Sequence, residues 1–183
     1  MSYPEARYVG DVGEVSAVYR PADTEPELVS PQGTRTHYLA TGRPAGRGAG
    51  AVTDGEFGLY HVIDLAPGAG TGTHFHKTMS ESFFVTAGTL RLFDGERWIE
   101  GTKGDFLYVP AGGLHSFYNE SDEPASFLML FAPGAPREGY FEDVGKFVGL
   151  PAEERDKFFV EHDSYFVDLR QGPRPGGSET PES

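Results

Sequence analysis

Two histidines one residue apart, His74 and His76, are followed five residues later by a glutamate, Glu81. On a β-strand, residues two apart point to the same face. The two imidazoles are therefore expected to project side by side. Glu81 follows a short turn and is expected to open the next strand, facing the same interior. Two imidazoles and a carboxylate converging on one point suit a divalent transition metal. A second stretch, Gly104 to Asn119, supplies a fourth candidate ligand, His115, at the start of a strand-like run. Nitrogen-plus-oxygen ligation admits Fe, Mn, Ni, Co, Cu or Zn, and the order of affinities does not choose among them. Burying an unpaired glutamate among histidines is costly without a cation. Four protein ligands around an octahedral ion leave two positions for water, dioxygen or a chelating substrate, and open positions separate reactive sites from structural ones. Glu81 is also a candidate catalytic base toward a substrate hydroxyl.

The elements that must position these groups are short strands. Thr36–Ala40, Gly58–Leu65, Thr73–His76, Glu81–Ala87, Thr89–Phe93, Glu96–Glu100, Asp105–Val109, His115–Asn119 and Ala125–Phe131 all read as strands, with an Asp94-Gly95 hairpin turn between two of them. Gly13–Tyr19 alternates loosely and reads as one more. Many short strands separated by Gly, Pro and Asp imply an all-β sandwich or barrel. Gly88, Gly104 and Gly112 fall where turns need unusual backbone angles. Strand parity places Phe83 and Val85 inward with Glu81, and Phe117 inward with His115. The same rule places His61 inward with Leu59, Ile63 and Leu65. Phe83, Val85, Phe117 and His61 are therefore the candidate substrate-binding residues, in a pocket suited to a small, largely apolar substrate with one or two oxygens.

Beyond Ala132 the period changes. Tyr140, Phe141, Val144, Phe147 and Val148 recur at helical spacing, and a second helix starts near Pro151 and carries Phe158 and Phe159. These aromatics read as packing groups, with the helices covering one face or mouth of the barrel. The chain divides into an N-terminal arm or strand at 1–35, a barrel at 36–132, a helical segment at 133–170 and a disordered tail at 171–183. The glycine-rich 42–50 stretch lacks a following GK[ST] and reads as a flexible linker rather than a phosphate loop.

Composition narrows the function classes. The 183 residues include 15 basic and 28 acidic side chains, for a net charge of −13, and no cysteine. Thiolate sites and disulfides are excluded, leaving histidine and carboxylate as metal ligands. No basic patch is evident, so no nucleic acid partner is expected. No apolar run approaches the ~20 residues that span a bilayer, and the N-terminus lacks a signal-like apolar core. The expectation is a cytoplasmic protein with no membrane partner.

The sequence resembles the cupin superfamily. The pattern Gly-x5-His-x-His-x4-Glu-x6-Gly is filled by Gly68, His74, His76, Glu81 and Gly88, and Gly-x5-Pro-x-Gly-x2-His-x3-Asn by Gly104, Pro110, Gly112, His115 and Asn119. The resemblance runs from Thr36 to Ala132. It implies a double-stranded β-helix, or jelly-roll, barrel followed by short helices, holding one metal through three histidines and a glutamate. It also implies a homodimer, with the N-terminal arm at the interface. The ligand set is similar to that of single-domain, bacterial quercetinase-like cupin dioxygenases. Such a resemblance implies a dioxygenase that takes dioxygen and an enolisable, phenolic or flavonol-like small molecule. The same ligands equally serve a non-redox isomerase, lyase or cyclase using the ion as a Lewis acid, or a small-molecule-binding cupin without turnover.

Overall fold

The computed structural model describes residues 3–44, 50–147 and 149–167. The tail at 171–183, the centre of the glycine-rich stretch and Val148 lie outside the described residues. Twelve strands and two helices are assigned among those described. The larger sheet runs β1 (Leu28–Val29), β2 (Arg35–Thr41), β4 (Gly58–Leu65), β11 (Ala125–Ala132), β6 (Ser80–Ala87) and β9 (Phe106–Val109), with β3 (Ala51–Val52) paired in parallel to β2. The smaller sheet is β10 (Ser116–Tyr118), β7 (Thr89–Phe93) and β8 (Trp98–Thr102). A pair formed by β5 (His74–Phe75) and β12 (Tyr165–Phe166) extends it, because the bridges Gly70–Tyr118 and His74–His115 join the β5 region to the β10 region. Two mostly antiparallel sheets enclosing one core make a jelly-roll barrel.

Alternation explains how β6 is read. Glu81, Phe83 and Val85 are buried while Phe84 faces out. The inward face joins Tyr60, Phe127 and Phe131 in one apolar core. Gly88 ends β6 at φ 70°, and an added Cβ there would lie 2.5 Å from the Pro124 carbonyl oxygen. Asn119 is wholly buried. Its Nδ2 donates to the carbonyls of Leu65 and Glu123 at 2.8 and 2.9 Å, so this motif position ties two loops together.

Three expectations are corrected. Gly13–Tyr19 forms no strand, because its apolar side chains meet no partner strand and Val15, Val18 and Tyr19 stay exposed. The Asp94-Gly95 turn is a longer loop between the paired Phe93 and Trp98, closed by Asp94 Oδ1 accepting from Glu96 and Arg97 N–H at 2.9 Å. Parity on β4 is the reverse of the reading: Tyr60 and Val62 are buried, and His61 lies on the outer face with its Nε2 3.2 Å from Thr86 Oγ1. A register shift between Ala125 and Phe127, opposite Asp64 at φ 56°, turns Leu65 back inward and breaks the alternation. His61 is therefore no inward substrate contact.

The helices α1 (Glu138–Phe147) and α2 (Ala152–Glu161) form where their aromatics recur at helical spacing. Phe158 stacks on Phe147 at 4.0 Å and on Tyr140 at 5.7 Å, so these rings pack the helices together. Tyr60 donates to Glu138 Oε1 at 2.5 Å, fixing the start of α1 to the barrel. Among the described residues no helix is long and apolar enough to cross a membrane.

Candidate metal centre

His74, His76, Glu81 and His115 converge. One ligand atom from each lies within 4.8 Å of all the others, and all four residues are buried. The convergence follows from backbone pairing. His74 and His115 are directly opposed and exchange both N–H···O bonds, at 3.0 and 2.9 Å. Opposed residues in such a pair point to the same face. His76 lies two residues further along, its carbonyl accepting from Gly112 N–H at 2.7 Å. Glu81 comes from the opposite sheet, between Val109 and Phe131.

The imidazoles are oriented by backbone carbonyls. Nδ1 of His74, His76 and His115 lies 2.9, 2.5 and 3.0 Å from the oxygens of Gly72, Asp163 and Gly113. A carbonyl only accepts, so each Nδ1 carries a proton and each ring turns its Nε2 inward. Glu81 Oε2 sits 3.0 Å from His76 Nε2 and 2.8 Å from His115 Nε2. Lone pairs facing a carboxylate oxygen at that range repel unless a proton or a cation lies between them. Ligand histidines that donate their other ring N–H to a carbonyl are the usual supporting arrangement of a metal site. The donor set therefore fits one divalent transition ion.

Charge in the site follows from these contacts. Burial opposes ionisation of Glu81, but hydrogen bonds from His115 and His76 outweigh it and hold its carboxyl below the usual range. Burial, reinforced by the His115 charge, pushes His74 down to about 3, so it stays neutral. At His115 burial acts downward, yet the hydrogen bond to Glu81 prevails and raises it.

Phe83 is buried, and the half-buried Phe117 packs against the same core. The Phe83 ring is 6.0 Å from the His115 ring and 5.7 Å from the Phe117 ring. Val85 is buried two residues further along β6. Sequence reasoning missed the C-terminal support. Asp163 gives its carbonyl to His76, while its carboxylate accepts from Lys77 N–H at 3.0 Å and from Thr78 N–H and Oγ1 at 2.9 and 2.7 Å. Phe166 pairs with His74 in register and stacks on its ring at 4.9 Å. Arg137, buried beside α1, donates to His162 O at 2.5 Å and Ser164 Oγ at 3.2 Å, on either side of Asp163. Asp163 stands 87 residues along the chain from His76, and the one local signal was the ability of aspartate to adopt positive φ, used by Asp163 at 52°.

A family model described as a cupin domain matches residues 61–131. No curated protein matches the chain in sequence. Among solved structures, KdgF from Halomonas sp. is similar with a TM-score of 0.52 at 15% identity, over 64% of this chain and 94% of that one. A sugar phosphate isomerase of the cupin superfamily from Silicibacter pomeroyi is 36% identical over 46% of this chain and 54% of its own, with a TM-score of 0.42. A cupin 2 conserved barrel domain protein from Salinispora arenicola is 20% identical over 80% of this chain and 99% of its own, with a TM-score of 0.47. The family match agrees with the barrel seen here: the fold is a cupin fold, with two short C-terminal helices.

Proposed function

Residues 61–131 being a cupin domain, we propose that this chain is a mononuclear metal-dependent enzyme, and that it is a dioxygenase acting on a small enolisable or phenolic molecule. The single observation that carries the reading is the convergence of three Nε2 atoms, on rings oriented by backbone carbonyls, and one carboxylate in a buried site. When bound, a divalent ion supplies Lewis acidity and, if redox-active, a route to dioxygen. The chain's own contribution is fourfold. His74, His76 and His115 would hold the ion, in orientations fixed by Gly72, Asp163 and Gly113. Glu81 would balance part of its charge and accept a proton from a substrate hydroxyl. Phe83, beside the His115 ring, and Phe131, beside the His76 ring, would give the site an apolar side. Phe166 covers the His74 ring.

A second reading, a non-redox isomerase, lyase or cyclase, is favoured by the buried positive charge of Arg137 near these ligands. Such a charge stabilises an enolate without any need for oxygen. Elemental analysis of the purified protein, followed by oxygen uptake with enolisable acids, catechols and a flavonol, separates the readings. Near-stoichiometric metal with substrate-dependent uptake is expected. Metal with turnover but no uptake moves the assignment to the second reading, and no metal after reconstitution overturns both.

A further inference from the structure

Arg137 has 3% of its surface exposed. Its Nη1 makes the bonds to His162 O and Ser164 Oγ, and its guanidinium lies over the Tyr140 ring at 4.1 Å and the Phe131 ring at 5.2 Å. Its Nε has no hydrogen-bond partner among the described residues. The acids nearby are all committed elsewhere. Glu81 faces His76 and His115, Glu138 takes the Tyr60 hydroxyl, and Asp163 takes the Lys77 and Thr78 amides. A guanidinium buried without an anion is strongly unfavourable, and its planar fork is the shape that matches a carboxylate.

Its position is next to the metal centre. Both pack against the Phe131 ring, the guanidinium at 5.2 Å and the His76 ring at 6.1 Å. The Arg137 and Glu81 charges act on each other, and His115 feels Arg137 as well. A cleft of about 510 Å³ is lined by Thr78, from the loop between His76 and Glu81, and by Pro136, the residue before Arg137. A divalent ion would add positive charge to a site whose arginine makes no ion-pair contact among the described residues.

We propose that Arg137 is the anion-binding residue of this site, and that the substrate is a small carboxylic acid whose carboxylate meets the Arg137 guanidinium while an adjacent hydroxyl or keto oxygen reaches the His74–His76–Glu81–His115 centre. The inference rests on the metal-centre reading and deepens it by naming the substrate class. It assigns Arg137 both a structural contact, through Nη1, and a binding contact, through the donors left over.

The test uses the full chain loaded with Co²⁺, with cobalt content measured first. Glycolate and glycolamide, which differ only in carboxylate against amide, are titrated while the visible cobalt spectrum is followed. Arg137→Gln is expected to weaken glycolate by at least about tenfold, in line with the loss of a charge-assisted hydrogen-bonded pair. Glycolamide is expected to change by less than about twofold, with cobalt content unchanged. Arg137→Lys is expected to keep part of the preference for glycolate, and it decides the matter alone if the Gln variant fails to fold. Equal effects on both probes, no effect on either, or no glycolate binding by the cobalt-loaded wild type overturns the proposal while leaving the metal centre standing. Failure to take up cobalt overturns the metal-centre reading and this inference with it.

Discussion

Glu81 Oε2 is met by two ring nitrogens whose partner nitrogens already donate to carbonyls, so what lies between those three atoms decides the site. If it is an ion, each ligand is individually necessary. His76→Ala is expected to lower retained metal by at least tenfold on elemental analysis, since losing even an outer partner of a ligand costs about 10–100-fold in affinity. Full occupancy in that variant would show that the ion sits elsewhere. The metal-free protein gives an independent check through pH. His74 is held neutral in the fold, at about 3 against an ordinary 6.5. The unfolded chain therefore binds the extra proton, and stability falls as pH drops from 6.5 toward 3. His115 is raised, so its contribution has the opposite sign, full below the ordinary value and lost as pH rises through the folded one. The His74 part is isolated by comparing thermal midpoints of wild type and His74→Gln without metal. The advantage of wild type should shrink as pH falls below 6.5, and a constant gap would mean that His74 is not held neutral.

At the scale of elements, the ligand strand is secured by a partner that no local pattern announces. The two-residue β12 pairs with β5, and Asp163 ahead of it binds both the His76 ring and the turn at Lys77 and Thr78. Asp163→Ala removes three carboxylate hydrogen bonds at a partly exposed site and is expected to cost on the order of 1 kcal/mol, roughly 2–4 °C in a chain of this size. It should also weaken metal binding several-fold by loosening His76. A thermal shift with unchanged metal affinity would confine Asp163 to structural support. Gly88→Ala is a contrasting case. Positive φ and the Pro124 carbonyl 2.5 Å from the new Cβ make it destabilising by about 2 kcal/mol or more, read by denaturant unfolding. The clustering of His74, His76, Glu81 and His115 was legible because His-x-His and strand alternation are local rules, and most barrel strands because Gly, Pro and Asp punctuate alternating runs. His61 was misplaced because a bulge near Asp64 changes parity without a mark in the pattern. Asp163, Arg137 and Phe166 were illegible because their roles exist only after the chain returns to the barrel.

For the whole molecule, the question is what covers its apolar exterior. Arg20 is anchored by a two-point ion pair with Glu27, at 2.8 and 3.0 Å, and Glu27 in turn accepts from Tyr38 N–H. Ahead of that anchor, Tyr3, Val9, Val12, Val15 and Val18 are all exposed. The outer face of the larger sheet presents Phe84, Phe106 and Tyr108, with Phe84 opposite Phe106, at the edge strand β9. Exposed apolar patches and open sheet edges are the features that association covers. A net charge of −13 opposes indiscriminate aggregation, so the association expected is closed and specific. The proposal is a homodimer in which the arm of each copy covers apolar surface of the other. Sedimentation should give twice 19.9 kDa, becoming monomeric when residues 1–19 are deleted. Because the Arg20–Glu27 anchor stays in place, the truncated chain should keep its metal and lose no more than a few degrees in thermal midpoint. A full-length monomer at micromolar concentration would sink the dimer. A truncated chain that remains dimeric would assign the interface to the sheet face alone.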